Sequence, residues 1–393
     1  MTSQEQENKA LVRRFTEEVY NRRNLDAADE FLAPDFVDHG LSAGKEGYIE
    51  AYKQEVANTQ AASSDVHFSI EEMIAEGDKV VSRVIGSGSV DQRELHGVAP
   101  TGVRITIENV TINRLVDGKI VEERTVGDQS PFWQQRMEQE RIERERVEQE
   151  LQVARSIQQA SLPEEVPTLE GWQISPFYQP AREVGGDFYD FHFLSEGRLG
   201  LVVGDATGKG VPAALVMSTT CGMLQAVSEA LDSISPGEVL SRVNETLLAR
   251  IPSNMFVTCF YGVLDPESAI FTYANAGHDL PYLWHGGAAE ELRARGMPLG
   301  LMPSMSYEEK EMMLEPTDTA LLYSDGLVEA HDPKGEMFGF PRLRALVAKH
   351  GEEGSLGDFC LEKLYSFVGE GWEQEDDITL LTLRRSPSLS RTS

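Results

Sequence analysis

The sequence predicts an α+β protein built from two domains and a helical linker. Three observations carry this prediction. The chain has 393 residues, more than the roughly 100–200 of one ordinary domain. Helical patterning gives way to β-branched runs early on, and strand-like and helical runs alternate again toward the C-terminus. Between these parts, from Pro131, the composition shifts abruptly, and Gln134 to Gln159 contains neither Gly nor Pro.

Helices are expected from residue 6 to about residue 60. Leu11, Val12, Phe15, Val19 and Tyr20 recur at helical spacing, and Leu25, Ala28, Phe31 and Leu32 form a second set before a stop at Pro34. From Val66 to about Thr125 the pattern becomes that of strands. Val80, Val81, Val84 and Ile85 form one run, and Ile105, Ile107, Val110, Ile112 and Leu115 another. Asp117-Gly118 marks a hairpin turn before Ile120. An antiparallel sheet after helices makes a small α+β domain, expected over 1–130.

Residues 131–165 read as the linker, rich in Glu, Gln and Arg, which favour helix. Met137, Val147, Leu151 and Ala154 fit a heptad seam, yet that register also takes in Glu140 and Arg144 and leaves out Ile142. Both a solvated single helix and a parallel coiled coil are compatible with this. The seam strengthens toward Leu151, which favours the coiled coil and hence a homodimer. About 26 helical residues would form a rod of roughly 40 Å.

A full-sized second domain is expected over 166–386. Its strand-like runs are Leu199–Val203, Phe256–Leu264, Ala320–Tyr323 and Ile378–Leu383, with helices over Pro212–Leu231 and Pro236–Arg250. The Ser/Pro/Arg-rich residues 387–393 read as a disordered tail.

Charge and cysteine content exclude several functions. The 35 Lys and Arg against 65 Asp and Glu give a formal charge of −30. Such a balance repels phosphate backbones and anionic lipid, so neither nucleic acid nor a membrane surface is an expected partner. Cys221, Cys259 and Cys360 are too far apart for a metal motif or a disulfide framework and read as buried thiols. Met1 to Lys9 lacks the apolar core of a signal peptide, and no run of about 18 uninterrupted apolar residues occurs. A cytoplasmic protein is the resulting expectation.

Acidic residues recur at strand ends in the second domain. Asp187 follows Gly185-Gly186, Asp205 follows Gly204, Asp325 precedes Gly326, and Asp376-Asp377 precedes a strand. Carboxylates gathered in a cleft repel one another by several kcal/mol unless a cation neutralises them. Oxygen donors without a Cys or His cluster suit Mg²⁺ or Mn²⁺ rather than Zn²⁺. The run Gly204–Gly210 is not a P-loop, because Gly210 rather than Ser or Thr follows Lys209. Gly86-Ser-Gly88 lacks the third glycine of a dinucleotide fingerprint, and no Gly-x-Ser-x-Gly elbow is present.

GGDFYD at 185–190, GDATGKG at 204–210, YSDG at 323–326 and DDITLL at 376–381 occur in that order. Together they resemble the bacterial SpoIIE/RsbU-like branch of the metal-dependent PPM protein phosphatases. ARSIQQASLP at 154–163, MFVTCFYGVLD at 255–265, NAGHDLPYL at 275–283 and MPLGL at 297–301 agree with it. The likeness spans residues 150–385 and implies an α-β-β-α sandwich with two or more Mn²⁺ or Mg²⁺ ions at one edge. It implies that Asp187 contacts both ions, that Asp205 binds one beside the Ala206 carbonyl, and that Asp325 and Asp376 complete the shell, with Asp377 the alternative to Asp376. Arg182 stands where relatives contact phosphate, and Lys209 is either a second such contact or a helix-start residue. His278 is expected to be structural. The implied reaction is hydrolysis of phospho-Ser or phospho-Thr by a hydroxide generated between the metals. The implied substrate is a phosphorylated anti-sigma-factor antagonist, and the implied regulation acts through the linker on the helices after Gly210.

Residues 6–130 resemble the SnoaL-like, nuclear-transport-factor-two-like family of curled-sheet cones. LVRRFTEEVYNRRNLDAADEFLAPDFVDHG at 11–40, GKEGYIEAY at 44–52 and GKIVEERTVGD at 118–128 carry this likeness. Asp38, His39 and Asp128 lie where such cones place pocket-lining polar groups, which implies a small-molecule ligand and a sensory role. Two alternatives remain. The carboxylate cluster of the second domain would be a non-catalytic metal-holding scaffold, or the N-terminal cone would itself be a small-molecule enzyme.

Overall fold

Strand pairing organises both halves of the chain. The computed structural model describes residues 2–40, 49–230 and 235–387. Residues 44–48 of the N-terminal motif, Leu231 and the tail from 388 onward lie outside the described residues. The chain forms two units, Met1–Arg146 and Val147–Ser393, and its fold is α+β.

In the first unit α1 (Ser3–Phe15) starts on a capping box, in which Thr2 Oγ1 accepts from the Glu5 N–H and the Glu5 carboxylate accepts from the Thr2 N–H. Val12 and Phe15 bury its apolar face, and Val19, in the turn that continues it, is wholly buried. After α2 (Ala28–Phe31), the helix stop expected at Pro34 is instead part of strand β1 (Leu32–Asp38). Among the described residues this strand pairs only with β5 (Lys119–Gly127), in parallel, and its register shifts between Leu32 and Val37. An edge strand with a bulge tolerates a proline that donates no hydrogen bond. The sheet is therefore mixed, not wholly antiparallel. α3 (Ile49–Ala62), β2 (His67–Glu76), β3 (Lys79–Val90) and β4 (Val103–Val116) complete the unit, with strand order β1-β5-β4-β3-β2. Asp117 and Gly118 both have positive φ, of 50° and 75°, as a two-residue hairpin turn requires. Further register shifts at Ile70/Glu72 and Arg114/Leu115 bend the strands.

Helix α4 (Ser130–Gln159) has Pro131 in its first turn, where a missing N–H costs nothing. Phe132 closes a small cluster with Val90, Val98 and Ile105. Trp133, Met137, Ile142, Val147, Val153 and Ile157 remain exposed, whereas Leu151 and Ala154 are half-buried.

The second unit contains two five-stranded antiparallel sheets. One sheet joins β7 (Asp187–Phe193), β8 (Leu199–Ala206), β9 (Val257–Asp265), β10 (Ile270–Ala276) and β13 (Glu309–Met313). The other joins β6 (Trp172–Gln179), β11 (Tyr282–His285), β12 (Ala288–Glu291), β14 (Thr319–Tyr323) and β15 (Ile378–Arg385). Alternation along the strands creates three apolar layers. Leu199, Leu201 and Val203 of the first sheet meet Ala320, Leu322 and Leu381 of the second. On the outer face of the first sheet, Val202, Cys259 and Tyr261 cluster with α5 (Val211–Ala230) and α6 (Pro236–Leu248). On the outer face of the second, Leu321, Tyr323 and Leu380 cluster with α8 (Gly339–His350) and α9 (Leu356–Val368), both additional to the two helices expected from sequence. The architecture is an α-β-β-α sandwich. Helix α5 is long and apolar enough to cross a membrane by composition, but Met217 and Leu224 on its buried face belong to the helix–sheet cluster.

Leu201 is wholly buried between the sheets. Leu201→Ala is expected to destabilise the second unit by about 3 kcal/mol, measured as a lower midpoint for its transition in urea.

Candidate active site

Strand ends bring the acidic residues to one edge of the sandwich. Asp187 opens β7 directly opposite Asp205 on β8. Since Leu201 and Val203 point between the sheets, the two-residue period turns Asp205 and its partner Asp187 the same way. From the other sheet, Asp325 follows β14 and heads the short helix α7 (Gly326–Glu329), while Asp376-Asp377 immediately precedes the adjacent β15. Thr379 Oγ1, from β15, donates to Asp187 Oδ2 at 2.7 Å. This bond joins the two sheets at the cluster.

Close backbone approach depends on two glycines. A Cβ on Gly186 would lie 2.5 Å from the Ala206 carbonyl oxygen and 2.9 Å from Asp205 Oδ1. One on Gly326 would lie 2.0 Å from the Asp377 carbonyl oxygen. All three distances are too short for a side chain, so Gly beside Asp is here a steric requirement.

Asp376 and Asp377 do different work. Asp377 Oδ1 accepts the Ala181 N–H at 2.8 Å, and Oδ2 accepts those of Gly186 at 2.6 Å and Asp187 at 3.3 Å. Its oxygens thus hold the Gly-Gly-Asp loop. Asp376 is partly exposed and pairs with Lys209 Nζ at 2.9 Å, and the same ammonium donates to the Glu375 carbonyl at 2.7 Å. Arg182 is exposed, and its charge reaches Lys209.

Burial and mutual repulsion raise the proton affinity of Asp187, Asp205 and Asp325. Asp187 is pushed well above the usual carboxylate range by burial, then by Asp205 and Asp377. Asp205 rises to about 7 through burial and the charges of Asp325, Asp376 and Asp377. Asp325 rises to about 6 through burial, Asp376 and Glu329. Asp279 also rises to about 6, by burial and the nearby Asp325, and its Oδ2 is a buried atom with no hydrogen-bond partner. His278 is different. Its Nδ1 meets Thr258 Oγ1 at 2.9 Å and its Nε2 meets the Tyr323 carbonyl at 3.0 Å. Burial lowers it to about 4, so a neutral ring fixes the end of β14.

The Stage II sporulation protein E (SpoIIE) family matches residues 195–386, and the SnoaL-like polyketide cyclase family matches residues 10–136. Phosphoserine phosphatase RsbU of Bacillus subtilis (strain 168) is 30% identical over 241 residues, covering 60% of this chain and 70% of RsbU. The chain belongs to the SpoIIE/RsbU-like branch of the PPM phosphatases, with a SnoaL-like domain in front. Protein IcfG of Synechocystis is 31% identical over 267 residues, but the chain spans only 42% of its length. The crystal structure of the RsbU and RsbW domains of a Mycobacterium tuberculosis protein aligns with a TM-score of 0.51 and 31% identity, covering 58% of this chain and 64% of that one.

PPM phosphatases are metal-dependent, and the donor set fits that requirement. Among the described residues, no three acidic, His or Cys side chains form a ready-made metal cage. The donors are nevertheless all hard oxygens, carrying charge that Lys209 offsets by direct pairing at Asp376 and more weakly at Asp325. That chemistry suits Mn²⁺ or Mg²⁺.

In the SnoaL-like domain only one of the sequence-selected polar residues lines a cavity. Asp38 does so. His39 is exposed and pairs with Glu122 at 2.8 Å, and Asp128 accepts the Ser130 N–H at 2.8 Å ahead of α4.

Sequence reasoning missed three residues of the PPM site: Thr379, Asp279 and Gln158. Gln158, near the end of α4, is buried. It donates through Nε2 to the Gly185 carbonyl at 2.6 Å and accepts the Gly185 N–H at Oε1 at 3.1 Å. All three lie in stretches that carried the family resemblance, but only the fold shows what they touch.

Two outcomes follow from this geometry. Gln158→Ala strands both polar groups of Gly185, costing about 2 kcal/mol, and should weaken Mn²⁺ binding measured by calorimetry. For pH, Asp205 and Asp325 bind protons more tightly when folded than at their ordinary value of 3.8. The metal-free protein therefore loses stability as pH rises from about 4 to about 7. Thermal melts should show a larger Mn²⁺ stabilisation at about pH 7.5 than at about pH 5; equal shifts would contradict the assignment.

Proposed function

We propose that the protein is a metal-dependent phosphoprotein phosphatase acting on phospho-Ser or phospho-Thr of a partner protein. The observation that carries this reading is the convergence of Asp187, Asp205, Asp325 and Asp376 from two sheets onto one edge, with negative charge that Lys209 only partly offsets. Asp187, Asp205 with the Ala206 carbonyl, Asp325 and Asp376 would hold two or more Mn²⁺ or Mg²⁺ ions. Asp377, whose oxygens serve backbone amides, is a positioning residue rather than the alternative ligand. Bound cations would supply Lewis acidity to activate water and offset charge on the phosphoryl group. Asp377 and Thr379 keep Asp187 in place. Lys209 holds the charge of Asp376 in check and, with the exposed Arg182, gives an incoming phosphate a positive rim.

The substrate class we favour is an anti-sigma-factor antagonist. Phosphoserine phosphatases RsbU and RsbP among the relatives support a phosphoserine protein, and the solvent-reaching Arg182 and Asp376 suit a phosphate borne on a protein surface. Regulation would run from the SnoaL-like domain as sensor through α4, with the exposed Trp133, Met137 and Val147 forming a homodimeric coiled coil. Gln158 would be the contact where that signal reaches the catalytic loop. Three buried free thiols fit a cytoplasmic setting.

Hydrolysis of p-nitrophenyl phosphate and of a phosphoserine protein should require Mn²⁺ and fall on the order of 100-fold in Asp187→Ala and Asp325→Ala. Asp377→Ala should lower thermal stability as well as activity. Turnover that survives both ligand substitutions, or needs no metal, would overturn the proposal. Metal binding without turnover would leave the scaffold reading.

A further inference from the structure

The SnoaL-like domain encloses a cavity of about 410 Å³, large enough for a small organic ligand. Its walls are strongly aromatic, including Phe15, Tyr20, Tyr52, Phe68 and Phe132. The Tyr20 and Tyr52 hydroxyls hydrogen-bond to each other, and burial pushes both phenols well above their ordinary value, so both stay neutral.

Charge in this cavity is one-sided. Asp38 from β1, Glu55 from α3 and Glu123 from β5 line it, and among the described residues no Lys or Arg does. His96 is the lining side chain able to become a cation. Among the described residues, neither Asp38 nor Glu123 has a cationic hydrogen-bond partner. Asp38 accepts the Gly40 N–H at 2.7 Å, and Glu123 accepts from Asn113 Nδ2 at 2.8 Å. Burial, together with Asp38, raises Glu123 to about 7.

Among the described residues, two further polar atoms lack any partner. Ser82 Oγ, on a side chain only 1% exposed, and Asn109 Oδ1 are both buried without a hydrogen bond, and both residues line the cavity. Buried polar atoms are nearly always satisfied, so an orphaned pair in a cavity indicates a missing ligand group. Asn109 Oδ1 can only accept, the two carboxyls do so when ionised, and Ser82 Oγ is free to do so. A carboxylate or phosphate ligand would bring more acceptors and the wrong charge. An ammonium brings donors and the missing positive charge, and aromatic faces attract it.

We propose that this cavity binds a small organic cation, an aliphatic amine carried on a flat aromatic body, with its ammonium at Asp38 and Glu123. The ring would lie among Phe15, Tyr52 and Phe68, and further donors would meet Ser82 and Asn109. This concerns binding by the first unit alone, so it stands or falls independently of the phosphatase reading.

The test uses the full chain and three probes of one shape and different charge: tryptamine, its neutral alcohol tryptophol, and indole-3-propionate. Calorimetric titration should show tryptamine binding at least about tenfold tighter than tryptophol, with no binding of the carboxylate. Glu123→Gln and, separately, Asp38→Asn should bring tryptamine down to the affinity of tryptophol and leave tryptophol unchanged. Asp38 is only partly buried, so its variant guards against misfolding at Glu123; near-ultraviolet circular dichroism checks both. Equal affinities, preference for the carboxylate, tryptamine binding unaffected by both variants, or no binding of tryptamine at millimolar concentration would each overturn the proposal.

Discussion

Mutual repulsion among the edge carboxylates is the constraint around which the second unit is built. Two like charges about 4 Å apart cost on the order of 4 kcal/mol even with partial screening, and Asp205 feels three other acids besides its own burial. An assembly of this kind would spread apart unless something rigid held it. The rigidity comes from three apolar layers, one between the sheets and one outside each. Such close-packed layers resist small displacements at their margins. The carboxylates thus sit where the scaffold is stiff and water is near.

A second set of contacts divides holding from binding. Asp377 uses its oxygens on backbone amides and so acts as part of the scaffold. Thr379 and Ser324 tie the second sheet to the same place, since Ser324 Oγ accepts the Thr379 N–H at 2.9 Å. His278, kept neutral by burial, bridges β9 to β14 without adding charge. The groups left over, Asp187, Asp205, Asp325 and Asp376, are those whose charge nothing in the scaffold fully answers. A strained electrostatic state with an intact backbone is what a cation-dependent site needs before its cation arrives.

Much of this was legible in the sequence, for a local reason. A strand, a glycine and an acid in succession are neighbours in the chain, so Asp187, Asp205 and Asp325 announce themselves through short patterns. The hairpin at Asp117-Gly118 is equally local. What stayed hidden depends on contacts between distant residues. Gln158 looks like one more polar residue of a Gln- and Glu-rich helix until Gly185 is placed against it. Asp376 and Asp377 are indistinguishable until their hydrogen-bond partners are known. Pro34 suggested a helix stop because proline punctuates helices, but its position on a sheet edge is a tertiary fact. In the first domain, the deep cavity groups Glu123, Asn109 and Ser82 come from three strands whose curvature sets which side chains meet. His39 and Asp128 belong to the motifs that carry the resemblance but are engaged by Glu122 and Ser130 instead.

The paired bonds between Gln158 and Gly185 make the end of α4 sensitive to angle. One amide gives and receives a hydrogen bond at the same glycine, so both bonds share a single orientation of the helix. Neighbouring helical residues point about 100° apart, as 3.6 residues per turn dictates. A twist of the helix by that step would remove both bonds together. In the regulation proposed above, the junction would act as a keyed coupling, responsive to the rotational phase of the helix.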